Sequence, residues 1–196
     1  MGLKNRIVVL SSGRGSNFCA IADGITQGKI PNAEIVGLIS NRSDALALSH
    51  AKLRAISYHV IESKLYRANN KFDRPTYEKP LLSLLLSLKP DLILLAGYML
   101  VLGKEIIQTF PKKIINIHPS LLPKFRGLHA QKQALENGEK ETGCTVHWVT
   151  EGLDEGPTIL QARVPILPND TEESLSLRLL PLEHETYVSA LKLILK

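Results

Sequence analysis

Short, unbroken apolar runs alternate with longer helix-like stretches, and this pattern restricts the fold more than any other feature. Ile7–Leu10, Ile35–Ser40, Asp91–Ala96 and Ile114–Ile117 are rich in Ile, Val and Leu. Runs of this kind suit strands buried on both faces, as in a parallel sheet covered by helices. Ser57–Ile61 reads as a further strand. Thr145–Val149 and Pro157–Val164 read as two more and are candidates for antiparallel pairing. Helices are expected from the turn at Ser11–Asn17 to about Thr26, and over Ala45–Lys52, Arg74–Leu88 and Gly103–Phe110. Asp170 with Glu173 resembles a capping box opening a last helix. Pro80 and Pro181 fall inside two of these helices, and interior proline predicts a kink. The sum is an α/β fold, a mostly parallel twisted sheet with helices on both faces.

The 196 residues suit one domain, 1–196. Aromatic residues make up only 5%, so aliphatic side chains must fill the core. The net charge of +5 is compatible with anionic ligands and equally with a solvated basic surface. Two cysteines, Cys19 and Cys144, lie far apart without metal-ligand spacing, which suits a reducing compartment. The apolar stretches near Met1–Leu10 and at Tyr98–Leu102 are too short for a signal core or a membrane span. No basic–aromatic interleaving points to nucleic acid. The expectation is a cytoplasmic protein without membrane or nucleic-acid partner and without a metal.

In such sheets ligands bind beyond the carboxyl ends of the strands. Three informative segments fall there: Ser11–Asn17, Gly97–Leu102 and His118–Pro123. Gly13-Arg14-Gly15-Ser16-Asn17 joins a strand to a helix, which suits a phosphate on the free N–H groups of a helix start. A tight turn serving geometry alone has the same signature. A dinucleotide site is disfavoured, because Phe18 stands at the third glycine and Ser40-Asn41-Arg42 carries no acidic residue.

Strand alternation puts Asn116 and His118 on one face at the ligand end. A His supported by a carboxylate can act as an acid near neutral pH, and an amide can donate to a developing oxyanion. A hydrogen-bonded structural His fits the same position. Spacing does not join Asp154 to this pair. His129 and His147 could approach the site or serve structure, and Cys144 reads as core filler.

These residues resemble the phosphoribosylglycinamide formyltransferase family of folate-dependent purine enzymes. The resemblance covers nearly the whole chain. It rests on Ser12-Gly13-Arg14-Gly15-Ser16-Asn17, Leu95-Ala96-Gly97-Tyr98-Met99, Asn116-Ile117-His118-Pro119-Ser120-Leu121-Leu122-Pro123, Gly127-Leu128-His129 and Leu153-Asp154-Glu155-Gly156-Pro157. It implies a Rossmann-like formyltransferase fold in a single domain, with the ribonucleotide site in the N-terminal part, the folate site in the C-terminal part and the active site between them. It implies that Asn116 holds the formyl oxygen and that His118 is the general acid. Asp154 would support the protonated form of His118 and order a water. Gly15, Ser16 and Asn17 would bind the substrate phosphate, and Glu183 the ribose hydroxyls. The folate would lie along Met99, Leu100, Val101 and Leu102 and the loop of Thr150, Glu151, Gly152, Leu153 and Asp154, with Asn116 and Arg74 in contact. The implied co-substrate is 10-formyltetrahydrofolate, the acceptor glycinamide ribonucleotide, and the assembly a monomer or homodimer.

Two departures stand out. Leu100 replaces an Arg that relatives often carry, which removes a cationic contact for a carboxylate. Pro181 and its leucine neighbours stand before Glu183, so ribose-side contacts at Leu180 and Leu182 would be backbone only.

Two other formyl-folate enzymes share pieces of the pattern. Methionyl-tRNA formyltransferase has a similar Ser-Leu-Leu-Pro-x-x-Arg-Gly run, here Ser120–Gly127, but adds a C-terminal RNA-binding domain and lacks the glycine loop. Formyltetrahydrofolate deformylase tends to carry Arg where Gly97 stands, and adds an N-terminal regulatory domain. A nucleotide-binding module without catalysis is a third possibility, against which the intact Asn-His-Asp set argues.

Overall fold

The structure is a computed structural model that describes residues 4–69 and 71–195. β1 (Asn5–Ser11), α1 (Ser16–Thr26), β2 (Ala33–Ser40), α2 (Leu46–Leu53) and β3 (Tyr58–Val60) come first. A 3-10 turn at Ser63–Tyr66 and a small hairpin, β4 (Arg67–Ala68) with β5 (Lys71–Phe72), lead into α3 (Arg74–Leu88). β6 (Leu92–Leu95), α4 (Lys104–Thr109), β7 (Ile114–His118) and α5 (Ala130–Glu136) follow. β8 (Glu141–Trp148), β9 (Thr158–Pro165) and α6 (Glu172–Ile194) complete the order.

Seven strands form one sheet in the order β3-β2-β1-β6-β7-β8-β9. Pairing is parallel from β3 to β7, then antiparallel for β7–β8 and β8–β9. The chain runs outward from β1 through β2 and β3, then returns to β6 on the other side of β1. The loops after β1 and β6 therefore diverge, which opens a crevice at their carboxyl ends.

The sheet divides the core in two, and β1 shows why its run is apolar throughout. Ile7 and Val9 pack with Phe18, Ile21, Tyr187 and Leu191 from α1 and α6. Val8 and Leu10 face Tyr77, Leu81, Leu85 and Ile106 from α3 and α4. Each such side chain removed from water contributes about 1.5–3 kcal/mol. Tyr187 is fully buried, and its hydroxyl lies 3.2 Å from the carbonyls of both Leu95 and Ile115, on neighbouring strands.

The structure corrects several local expectations. The last helix opens on Thr171 and Ser174 rather than on Asp170 and Glu173. Thr171 has extended backbone and its Oγ1 accepts the Ser174 N–H at 3.1 Å, while Ser174 Oγ accepts the Thr171 N–H at 2.9 Å. Asp170 is occupied elsewhere, accepting the Leu167 N–H at 2.7 Å and pairing with Arg178. Neither Pro80 nor Pro181 ends its helix. β8 starts at Glu141, four positions before the expected Thr145, so Gly143 and Cys144 lie within the strand. α5 and the small hairpin had no counterpart in the sequence reading.

Candidate active site

The glycine loop is shaped by one residue. Gly15 caps α1 with φ 75°, a left-handed conformation that L side chains rarely adopt, and a Cβ there would lie 2.7 Å from the Ala47 Cβ. The helix proper begins at Ser16, and the Cys19 N–H is the donor that returns to Gly15. The N–H groups of the first turn therefore lack intrahelical acceptors and sit at the positive end of the helix dipole. That geometry suits an anion. Asn17 is buried at the same turn and donates from Nδ2 to Glu183 Oε2 at 3.0 Å. Asn17 Oδ1 is buried without a partner. Burial pushes the Glu183 carboxyl up, against the hydrogen bond from Asn17 and the charge of Arg14. Asn17 and Glu183, 166 positions apart, are thus one polar pair.

A second loop, 97–103, is tied to the first. The Ser12 N–H donates to the Gly97 carbonyl at 3.0 Å, and Ser12 Oγ accepts the Met99 N–H at 2.8 Å. Tyr77 and Tyr98 share a 2.6 Å hydroxyl contact beneath it, where burial pushes the Tyr77 phenol up to about 12. Met99 and Val101 are exposed on this loop while Leu102 is buried. Arg74 stands exposed at the start of α3.

Asp154 is the hub of the third group. It lies in the loop after β8 with φ 51°, and its side chain is only 9% exposed. Oδ2 accepts the Gly127 N–H at 2.9 Å and lies 3.3 Å from His118 Nδ1. Oδ1 accepts from Asn116 Nδ2 at 3.4 Å and lies 3.5 Å from His147 Nε2. Burial works to raise the Asp154 carboxyl. The hydrogen bonds of His147 and the Gly127 N–H, with the charges of both histidines, outweigh it and hold the group below the usual carboxylate range.

His118 Nε2 lies 2.8 Å from the Phe125 carbonyl. A carbonyl only accepts, so Nε2 carries a proton, and Nδ1 faces an ionised carboxylate. His147 lies opposite Asn116 in the β7–β8 register, with Nδ1 3.0 Å from the Trp148 carbonyl and Nε2 3.3 Å from Asn116 Nδ2.

Asn116, His118 and Asp154 are therefore brought together, with His147 as a fourth member. His129 lies apart, paired with Glu172 at 3.0 Å on the surface. Cys144 is buried beside Thr186, and burial pushes its thiol up to about 11 against the opposing effect of the Thr186 contact, so it is no nucleophile. Glu151 of the Thr150–Asp154 loop rests on α4, accepting from Gln108 at 2.9 Å with Lys104 at 3.8 Å. The backbone groups of Phe125 and Gly127 escaped the sequence reading. The glycine of Arg126-Gly127, which has φ 76°, was the available signal. Among the described residues no cluster of three or more His, Cys, Asp or Glu could hold a metal ion, and no helix is long and apolar enough to cross a membrane.

A wound α/β sheet with a carboxylate, an amide and two histidines at its ligand end matches a known class. The Formyl transferase family profile covers residues 5–191. The chain belongs to the phosphoribosylglycinamide formyltransferase family. It is 40% identical over 181 residues to the phosphoribosylglycinamide formyltransferase of Escherichia coli (strain K12), covering 92% of this chain and 82% of that protein. It is 44% identical over 194 residues to the trifunctional purine biosynthetic protein adenosine-3 of Drosophila melanogaster, covering 97% of this chain but spanning 14% of that longer protein. The crystal structure of glycinamide ribonucleotide transformylase 1 from Symbiobacterium toebii superposes with a TM-score of 0.92 at 44% identity, covering 100% of this chain and 89% of that one.

Proposed function

We propose that this chain transfers the formyl group of 10-formyltetrahydrofolate to the primary amine of glycinamide ribonucleotide, a step of de novo purine synthesis. The observation that carries the reading is the Asp154 carboxylate held jointly by His118, Asn116, His147 and the Gly127 N–H. The acceptor phosphate sits on the first-turn N–H groups at Gly15, Ser16 and Asn17, and Glu183 meets the ribose hydroxyls. The folate lies along Met99–Leu102 and Thr150–Asp154, with Arg74 near its tail.

The reaction is direct attack. The amine nitrogen forms a bond to the formyl carbon, and the carbonyl electrons move to oxygen. Asn116 exchanges its long 3.4 Å contact with Asp154 for a hydrogen bond to that oxyanion. The His118 imidazolium, its charge balanced by Asp154, stabilises the same centre and acts as the acid. Collapse breaks the carbon–N10 bond, and the proton lost by the attacking nitrogen, an ammonium once the bond has formed, reaches N10 by way of the His118–Asp154 pair and an ordered water. No covalent enzyme intermediate is needed.

The test is an assay of the purified chain with 10-formyltetrahydrofolate and glycinamide ribonucleotide. Stoichiometric formyl-glycinamide ribonucleotide is the expected product. Formate release at the same rate without any acceptor would replace this reading with hydrolysis, and turnover confined to methionyl-tRNA would replace the acceptor.

A further inference from the structure

The loop 97–103 is anchored at both ends through its backbone. Ser12 Oγ takes the Met99 N–H at one end. At the other, the Gly103 N–H donates to Glu78 Oε1 at 2.6 Å. Glu78 lies on α3 and is only 8% exposed. Among the described residues no Lys, Arg or His lies within ion-pair distance of it; Arg74, one turn earlier, acts on its charge from further away. Gly103 has extended backbone, φ −79° and ψ 166°, which any residue adopts. What glycine supplies there is room, because a Cβ would collide with the Glu78 carboxylate. Glu78 and Gly103 therefore act as one joint, a carboxylate seated directly on the main chain.

A buried carboxylate without an ion partner is an expensive way to fill a helix–loop contact. Burial pushes the Glu78 carboxyl up, and the Gly103 N–H and Arg74 offset this only in part. An apolar side chain would pack here at lower cost. What the carboxylate alone provides is a strong acceptor for one backbone N–H at the point where the exposed Met99–Val101 stretch ends.

We propose that Glu78 is a positioning residue for the formyl donor. Through the Gly103 N–H it fixes the far end of the Met99–Leu102 segment, so that the segment presents its backbone and the Met99 and Val101 side chains in one arrangement. Ser12 fixes the near end and couples it to the glycine loop. The inference rests on the assignment of this segment to the folate.

The test is two-substrate steady-state kinetics on the full chain. Glu78→Ala is expected to raise KM for 10-formyltetrahydrofolate about tenfold and to leave KM for glycinamide ribonucleotide within about twofold, as loss of a charge-assisted hydrogen bond would do. Glu78→Gln keeps an acceptor oxygen and should restore the donor KM to within about threefold, with a thermal midpoint at or above the parent's. Gly103→Ala displaces the carboxylate without changing any residue of α3 and should reproduce the Glu78→Ala split, which also decides the matter if Glu78→Ala fails to fold. A normal donor KM in Gly103→Ala, or equal rises in both KM values in either variant, overturns the proposal. Absence of formyl transfer by the parent chain is a separate result, and overturns the assignment on which the inference rests.

Discussion

Asp154 Oδ2 lies 3.3 Å from His118 Nδ1, and the same oxygen accepts the Gly127 N–H at 2.9 Å. One carboxylate thus holds the imidazole and pins the loop that carries Phe125, the acceptor of the other ring nitrogen. Asp154→Asn keeps the shape but removes the charge that balances the imidazolium. The expected result is a fall in kcat of about 10²–10⁴ with the fold retained. A variant within threefold of the parent would remove Asp154 from the mechanism.

The same carboxylate makes stability depend on pH. Its folded pKa is held below the unfolded value, so its contribution is fully present above about pH 4 and is lost as the pH falls through the folded pKa. The thermal midpoint of the parent should therefore drop more steeply on acidification below about pH 4 than that of Asp154→Asn. Parallel curves for the two proteins would contradict the hub arrangement around Asp154.

His118→Asn separates proton transfer from packing. The amide is of similar polarity but cannot carry the proton, and it leaves the Phe125 carbonyl without its 2.8 Å partner. A loss of about 10²–10⁴ in kcat is expected, with both KM values changed little. A pure rise in KM would mean that His118 binds substrate rather than serving as the acid.

The parallel part of the sheet was legible because the runs at Ile7, Ile35, Asp91 and Ile114 are buried on both faces by helices. β8 was not legible at its start. Thr142 and Gly143 carry no apolar signal, yet they are enclosed between β9 and the Leu121 loop. α5 is seven residues long and is held by contacts no local pattern reports, Gln133 Nε2 donating to the carbonyls of Arg126 and Leu128. At the site, strand alternation alone placed Asn116 beside His118. Asp154 joined them only through the family resemblance, because its position depends on a left-handed backbone and on the Gly127 N–H, 27 positions away. His147 reaches Asn116 through antiparallel register, which the sequence does not print.

Asn17→Ala tests the pair on the acceptor side. It removes the 3.0 Å hydrogen bond to Glu183 and leaves that carboxylate short of a partner. About 1–3 kcal/mol of stability should be lost, read by urea denaturation. KM for glycinamide ribonucleotide should rise about tenfold or more while KM for the formyl donor stays within twofold. Equal rises for both substrates would place Asn17 outside the acceptor site.

Gly15→Ala probes the phosphate loop itself. Alanine at φ 75° costs about 1–2 kcal/mol from the left-handed backbone alone. Its Cβ must also displace Ala47, which is bound to the same loop through the Ala47 N–H and the Gly13 carbonyl at 3.1 Å. The strain therefore cannot relax without moving either α2 or the first turn of α1. If α2 yields, stability falls but the N–H groups at Ser16 and Asn17 keep their aim. If the α1 turn yields, thermal protection by glycinamide ribonucleotide is lost as well. The second outcome is expected, because α2 is anchored by the buried Ala47, Leu48 and Ala51 while the loop faces solvent at Gly13 and Arg14. Differential scanning calorimetry with and without the ribonucleotide separates the two, and full ligand protection in a destabilised Gly15→Ala would show that α2, not the first turn of α1, gives way.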